Sequence, residues 1–304
     1  MSTQINQNLA IVFPGQGSQA VGMLADLVAT HPEIKQTFDE ASTVLGFDLW
    51  TLCQHGPAEE LDKTTNTQPA LLTASYAMWR IYQASDAALP HFLAGHSLGE
   101  YTALVCAKSL NFQDAVRLVA ARGQLMQDAV AKDEGAMAAL IGLDDEIVKS
   151  LCDQARLGNE VLSPANYNSV GQVVIAGHKA SVEHAVTLAK EQGAKLAVII
   201  PVSVPSHCSL MLPAAENFRE LLTSVAFHES IIPVINNVDV QPYDGAASIR
   251  EGLVRQLTMP VRWVETIQYF MQHNVTQVLE CGPGKVLTGL NKRIDKNLQL
   301  GSLL

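Results

Sequence analysis

The chain has 304 residues, 48% of them hydrophobic and 16% charged, enough to bury a sizeable core in one large domain or two smaller ones. Its formal net charge of -10 argues against nucleic acid as the main partner. No apolar run approaches the ~20 residues that span a bilayer, the polar start MSTQINQN lacks a signal-peptide plan, and five cysteines without framework spacing read as reduced thiols, so a cytoplasmic protein off the membrane is expected.

Residues 9–24 read LAIVFPGQGSQAVGML: a short apolar run, a glycine pair and a helix-like stretch. Gly15, Gly17 and Ala20 fall at the G-x-G-x-x-A spacing of a dinucleotide-binding loop. Such a loop needs a second strand ending near an acidic residue about twenty positions on. Asp39 and Glu40 stand at that distance, but PEIKQTFDEASTVL around them has helical periodicity and no β-rich run precedes them. Pro14 also disfavours a plain strand-to-helix turn. Two other readings remain. Glycine relieves strain in a tight turn, or the loop presents backbone N–H groups to a developing anion.

Residues 92–107, FLAGHSLGEYTALVCA, supply a nucleophile. Gly95 to Gly99 is G-x-S-x-G, placed between a short apolar strand and a helix rich in small residues. That is the context of a nucleophile elbow, which lifts the motif above a chance match. Ser97 Oγ would stand at the helix N-terminus, and the Leu98 N–H would point to where an oxyanion forms. An elbow needs a second N–H from the loop after another strand. The Gly15-Gln16-Gly17 loop fits that need.

The next helix, NFQDAVRLVAARGQLMQDAV, carries an apolar stripe of Ala115, Leu118, Val119, Leu125, Met126 and Ala129. Arg122 falls inside the stripe and Arg117 on the opposite face. A core-facing guanidinium needs an anionic partner. A structural salt bridge would serve. Beside a serine nucleophile, so would a substrate carboxylate held bidentately, which would select an acyl group such as malonyl over acetyl.

From Gly135 the rhythm changes. GAMAALIGL reads as a strand and DDEIVKSLCDQARLG as a helix. VLSPANYNSV and GQVVIAGH read as strands joined by a Ser169-Val170-Gly171 turn. KASVEHAVTLAKEQGA reads as a helix and KLAVIIPVS as a strand. The order βαββαβ is the ferredoxin-like split unit. The predicted architecture is α/β: a small domain, residues 131–203, inserted into a larger body made of residues 1–130 and 204–304.

Nine histidines compete for the role of general base. His96 adjoins Ser97, and adjacent elbow residues point different ways. His31, His55, His91, His228 and His273 sit in contexts that read as exposed, and His178 and His184 fall in the small domain. His207, in IIPVSVPSHCSLM, lies on a loop after a strand and follows the serine, as in hydrolase-type enzymes. No acidic residue between the two stands out as a third member, so a backbone or amide carbonyl would have to orient the imidazole.

These residues resemble the malonyl-CoA:acyl carrier protein transacylase family. FPGQGSQ, TQPALLTAS, GHSLGEYTALVCA, GQVVIAGH, VSVPSHC, NNVDV, VRQL and GPGKVLTGL all look like that family's segments, in order along nearly the whole chain. The resemblance implies a hydrolase-like parallel-sheet body with an inserted ferredoxin-like domain. It implies that Ser97 attacks the thioester of malonyl-CoA with His207 as base. The N–H groups of Gln16 and Leu98 would form the oxyanion hole, and Arg122 would hold the malonyl carboxylate. Gln256, in LVRQLTMP, would orient His207 through its main-chain carbonyl. A malonyl-serine intermediate would then pass to the phosphopantetheine thiol of acyl carrier protein in a ping-pong scheme that supplies fatty acid synthesis. No metal or cofactor is implied, because the coenzyme A thioester and the phosphopantetheine are substrates. A monomer is expected.

Carrier proteins of this pathway are acidic, so an acidic enzyme needs a local basic patch. Lys285, Lys292 and Arg293 are candidates, although a solvated helix face explains them equally well. Three rivals remain. A thioesterase or lipase-like hydrolase would not need Arg122 in an apolar stripe. A nicotinamide-dependent oxidoreductase would need the missing second strand. A silent carrier-binding module would not need Ser97, His207 and Arg122 together.

Overall fold

The computed structural model describes residues 4–85, 87–202 and 204–304. Residues 1–3 of the polar N-terminal stretch, and Ser203, where the expected small domain ends, lie outside the described residues. Nine strands are seen among them: β1 (Ile5–Phe13), β2 (Leu89–Gly95), β3 (Gly135–Ile141), β4 (Leu162–Ser169), β5 (Gln172–His178), β6 (Leu196–Ile199), β7 (Val234–Ile235), β8 (Gln277–Glu280) and β9 (Gln299–Ser302).

Five strands form a parallel sheet in the order β7-β2-β1-β8-β9. The central strand β1 is apolar without interruption from Leu9 because helices cover both faces of the sheet. Leu9, Ile11 and Phe13 point into a core shared with Trp79 and Leu71 of the helix Thr64–Ala84. Ala10 and Val12 point the other way, against Trp263, Ile267 and Phe270 of the helix around Trp263–Gln272. The loops after β1 and β2 leave the sheet side by side, since Phe13 pairs with Gly95.

Residues 135–199 build the second sheet, antiparallel in the order β4-β5-β3-β6. The expected βαββαβ order is observed, with Val170 and Gly171 as the β4–β5 turn. Ala136, Ala138 and Leu140 face the helices Asp145–Ala155 and Lys179–Glu191 in a separate core. Met137 faces the opposite way, towards the parallel-sheet body. The last strand is shorter than predicted, ending at Ile199 before Pro201, which cannot donate a ladder hydrogen bond. A tie that sequence did not suggest joins this sheet to the body: Tyr167 N donates to Val261 O and Val261 N to Ala165 O, each over 2.9 Å.

The stretch after Gly17 corrects another expectation. No helix follows the glycine pair directly: turns lead to a four-residue helix, Ala25–Val28, and the long helix Pro32–Leu45 holds Asp39 and Glu40. The second strand of a dinucleotide site is absent there, so the G-x-G-x-x-A match is spacing alone. Among the described residues, no helix is long and apolar enough to cross a membrane.

Candidate active site

The elbow forms because two glycines let three chain segments touch. A Cβ on Gly95 would lie 1.8 Å from the Gly99 carbonyl carbon, and one on Gly99 would lie 2.0 Å from Phe13 O. Ser97 between them takes the left-handed conformation, φ 50°, a strained state for a residue with a side chain. Asn237 clamps the turn. Its Nδ2 donates to Gly95 O over 2.7 Å, and its Oδ1 accepts from Ser97 N over 2.8 Å. The helix Gly99–Cys106 then runs fully buried from the turn.

His207 reaches Ser97 from across the cleft. Its Nε2 lies 2.8 Å from Ser97 Oγ and its Nδ1 2.7 Å from the Gln256 main-chain oxygen. A carbonyl only accepts, so Nδ1 carries the proton, and Nε2 is left to accept the serine O–H. The backbone of His207, φ 63°, is held by its N–H donating to Leu257 O over 3.1 Å. Burial first, and the positive charge of Arg122 second, push the imidazole down to about 3. It is a neutral base at physiological pH.

The stripe that holds Arg122 is buried as expected, with Leu125 and Ala129 only partly covered and Val116 and Gly123 added. Arg117 lies outside, paired with Asp114. Arg122 is 1% exposed, yet it is not in a salt bridge: Nη1 donates to Gln68 Oε1 over 2.8 Å, and Nη2 to Gln256 Oε1 over 2.9 Å and Ser97 Oγ over 3.2 Å. All three acceptors are neutral. Its buried Nε finds no partner among the described residues. Burial lowers its pKa. A fully desolvated cation with neutral partners, touching the Ser97 hydroxyl, is able to pair with an anion.

Gln16 and Leu98 flank the serine, from the loop after β1 and from the elbow. Among the described residues neither backbone N–H meets an acceptor. The Gln16 side chain is turned away, with Nε2 on Thr64 Oγ1 over 3.3 Å. Gly15 packs against the elbow so closely that a Cβ would lie 2.5 Å from His96 O. His96 itself points to the small sheet, its Nε2 2.8 Å from Asn168 Oδ1. Of the other histidines, His31 and His91 are half-buried where exposure was expected, and none meets Ser97. The cleft, about 420 Å³, is lined by Gln16, Ser97 and His207 from the body and by Met137 and Asn166 from the small sheet. No group of three or more His, Cys, Asp or Glu among the described residues is placed to hold a metal ion.

Sequence reasoning passed over Gln68, Glu100, Asn237 and Tyr243. Glu100 carried a visible signal, an acid inside the buried run GEYTALVCA. The others sit far along the chain, and only the fold brings them to the elbow.

A family model described as "Acyl transferase domain" matches residues 10–296. A malonyl CoA-acyl carrier protein transacylase from Escherichia coli (strain K12) is 55% identical over 97% of this chain and 95% of its own. The crystal structure of an acyl carrier protein S-malonyltransferase from Vibrio cholerae superposes with a TM-score of 0.95 at 56% identity, covering 97% of this chain and 96% of that one. A malonyl-transacylase solved in complex with a holo type II PKS acyl carrier protein gives 0.95 at 53% identity, covering 97% and 94%. With an elbow serine, a neutral histidine and a match of this extent, the chain belongs to the acyl transferase family and, within it, to the malonyl-CoA:acyl carrier protein transacylases.

Proposed function

We propose that the chain moves the malonyl group from malonyl-CoA to the phosphopantetheine thiol of an acyl carrier protein through a malonyl ester on Ser97. The observation that carries this reading is the buried Arg122 guanidinium, 3.2 Å from Ser97 Oγ and bonded only to neutral groups. An esterase for uncharged acyl groups gains nothing from such a cation.

In the first half-reaction Ser97 Oγ attacks the thioester carbon and its proton passes to His207 Nε2. The oxyanion takes the free N–H groups of Gln16 and Leu98. The C–S bond then breaks, and His207 returns the proton to the departing coenzyme A thiol. In the second, His207 takes the proton of the phosphopantetheine thiol, whose sulfur attacks the ester, and Ser97 leaves with the proton. Gln256 O holds the imidazole throughout, which is why no acidic triad member is needed. Burial depresses His207 most and the Arg122 charge adds to it; a malonyl carboxylate on Arg122 offsets that second contribution, so the correct acyl group strengthens its own base.

The name of the structural relative bound to a carrier protein supports the acceptor assignment. Both thioesters are substrates, and the chemistry calls on no cofactor. Supply of fatty acid synthesis is the role this reaction fits, and five buried free cysteines fit a reducing cytoplasm. Steady-state kinetics test the scheme: a ping-pong path gives parallel double-reciprocal lines when malonyl-CoA is varied at several carrier concentrations. Intersecting lines would require both substrates bound at once and would exclude the ping-pong order.

A further inference from the structure

Beneath the catalytic serine lies a second buried charge that the mechanism does not use. Glu100 is 1% exposed. Its Oε2 accepts from Gln256 Nε2 over 2.6 Å and from Asn237 N over 3.3 Å, and its Oε1 accepts from the Tyr243 hydroxyl. Gln256 thus bridges a carboxyl group and a guanidinium, with Nε2 on Glu100 and Oε1 on Arg122. A glutamine amide turned end over end would aim its N–H groups at Arg122, a donor facing a donor. The Arg122 donor at one end of the amide and the acceptors at the other, of which the Glu100 contact is the shortest, therefore select the same orientation.

We propose that Glu100 is a positioning residue: as a fixed acceptor at Gln256 Nε2, it sets the orientation of that amide, and so the seat of Arg122 for the substrate carboxylate. Oε2 stays an acceptor even when Oε1 carries a proton, so the orienting contact survives protonation. Gln256 Nε2 also donates to Ser97 O over 3.0 Å, which ties the same amide to the elbow. The inference rests on the reading of Arg122 as the site of the acyl acid.

Two conservative variants separate reach from charge. Glu100→Gln keeps the length and an acceptor oxygen and loses the charge. Glu100→Asp keeps the charge and withdraws the oxygen by one methylene. The readout is the ratio of malonyl to acetyl loading of Ser97 by intact-protein mass spectrometry, with melting curves as the fold check and Arg122→Ala beside them. The expected result is that Glu100→Gln retains the parent ratio, while Glu100→Asp lowers it about ten-fold through malonyl loading. A ratio kept by Glu100→Asp, or lost in Glu100→Gln, overturns the positioning role while Arg122→Ala still loses selectivity. If Arg122→Ala keeps the parent ratio, the acid-site reading itself fails and the inference with it.

Discussion

Arg122 Nη2 donates to Ser97 Oγ, the same oxygen that faces His207 Nε2, so the nucleophile is held between a cation and a base. The cation favours the negative charge that develops on Ser97 Oγ as its proton leaves and disfavours the imidazolium that forms with it. On the proposed scheme a bound carboxylate would resolve that conflict, because it would neutralise Arg122 when His207 must accept a proton. The order of events links substrate choice to the strength of the base.

The pH profile of loading follows from His207. Its pKa is held at about 3, well below the ordinary 6.5. The base therefore stays unprotonated across the neutral range, and kcat/KM for malonyl-CoA is expected to be level from about pH 8 down to about pH 5. Quenched-flow loading measures it. A fall centred near 6.5 would contradict the buried, cation-facing imidazole.

Glu100 gives a stability signature of the opposite sign. Burial raises its carboxyl from 4.5 to about 7. Between those values the folded chain keeps a proton that the unfolded chain has released. Stability therefore falls as pH rises through that window and stays lowered above it. His207 acts in the reverse direction, with stability lost as pH falls from 6.5 towards about 3. Glu100→Gln removes only the first effect. Its melting temperature relative to the parent is expected to climb by a few degrees between about pH 5 and pH 8. A difference independent of pH would show that Glu100 titrates normally.

Asn237 is fully buried outside the cleft lining and holds the elbow from behind. Asn237→Ala leaves Ser97 N–H and Gly95 O without their side-chain partner at the strained turn. The expected cost is about 2 kcal/mol of stability and at least a ten-fold fall in kcat, with KM for malonyl-CoA little changed. A variant as fast as the parent would remove the clamp from the account.

The fold was largely legible because its signals are local. The uninterrupted run from Leu9 to Phe13 marks a strand buried on both faces, and the βαββαβ rhythm from Gly135 needs no distant contact to be read. Ser97 and Arg122 were legible for the same reason: one sits in a five-residue motif and the other in a single helical stripe. Gln68, Asn237 and Tyr243 were not: TQPALLTAS and NNVDV mark two of their segments, but nothing local shows that Gln68 would meet Arg122, Asn237 the elbow or Tyr243 the Glu100 carboxyl across the fold. The stretch after Gly17 misled because apolar spacing there mimics a helix, while Gly17 and Gly22, both with positive φ, turn the chain instead.

Carrier recognition must overcome a net charge of -10 on this chain. Lys285, Lys292 and Arg293 are all exposed at the helix Val286–Ile294, and Arg293 donates to Gln172 Oε1 of the small sheet over 2.6 Å. Replacing the three with Glu is expected to raise KM for carrier protein about ten-fold and to leave KM for malonyl-CoA unaltered, more so at low salt. Unchanged carrier kinetics would place docking elsewhere.

Transfer must also outrun hydrolysis. On the proposed scheme the acyl group would sit in a cleft between the two sheets with its acid on Arg122, which would leave water a poor approach to the ester. Isolated malonyl-enzyme is expected to deliver its acyl group to carrier protein at least a hundred-fold faster than it hydrolyses in buffer. Equal rates would mean that the cleft does not protect the ester.

One experiment tests together whether Ser97 carries the acyl group and Arg122 reads its acid. The most direct measurement is intact-protein mass spectrometry after mixing the enzyme with equal malonyl-, methylmalonyl- and acetyl-CoA, without carrier protein. A single malonyl adduct is expected, lost in Ser97→Ala and replaced by acetyl loading in Arg122→Ala, with malonyl preference down roughly 10²–10³-fold. A malonyl adduct that persists in Ser97→Ala, or undiminished malonyl preference in Arg122→Ala, would contradict these roles.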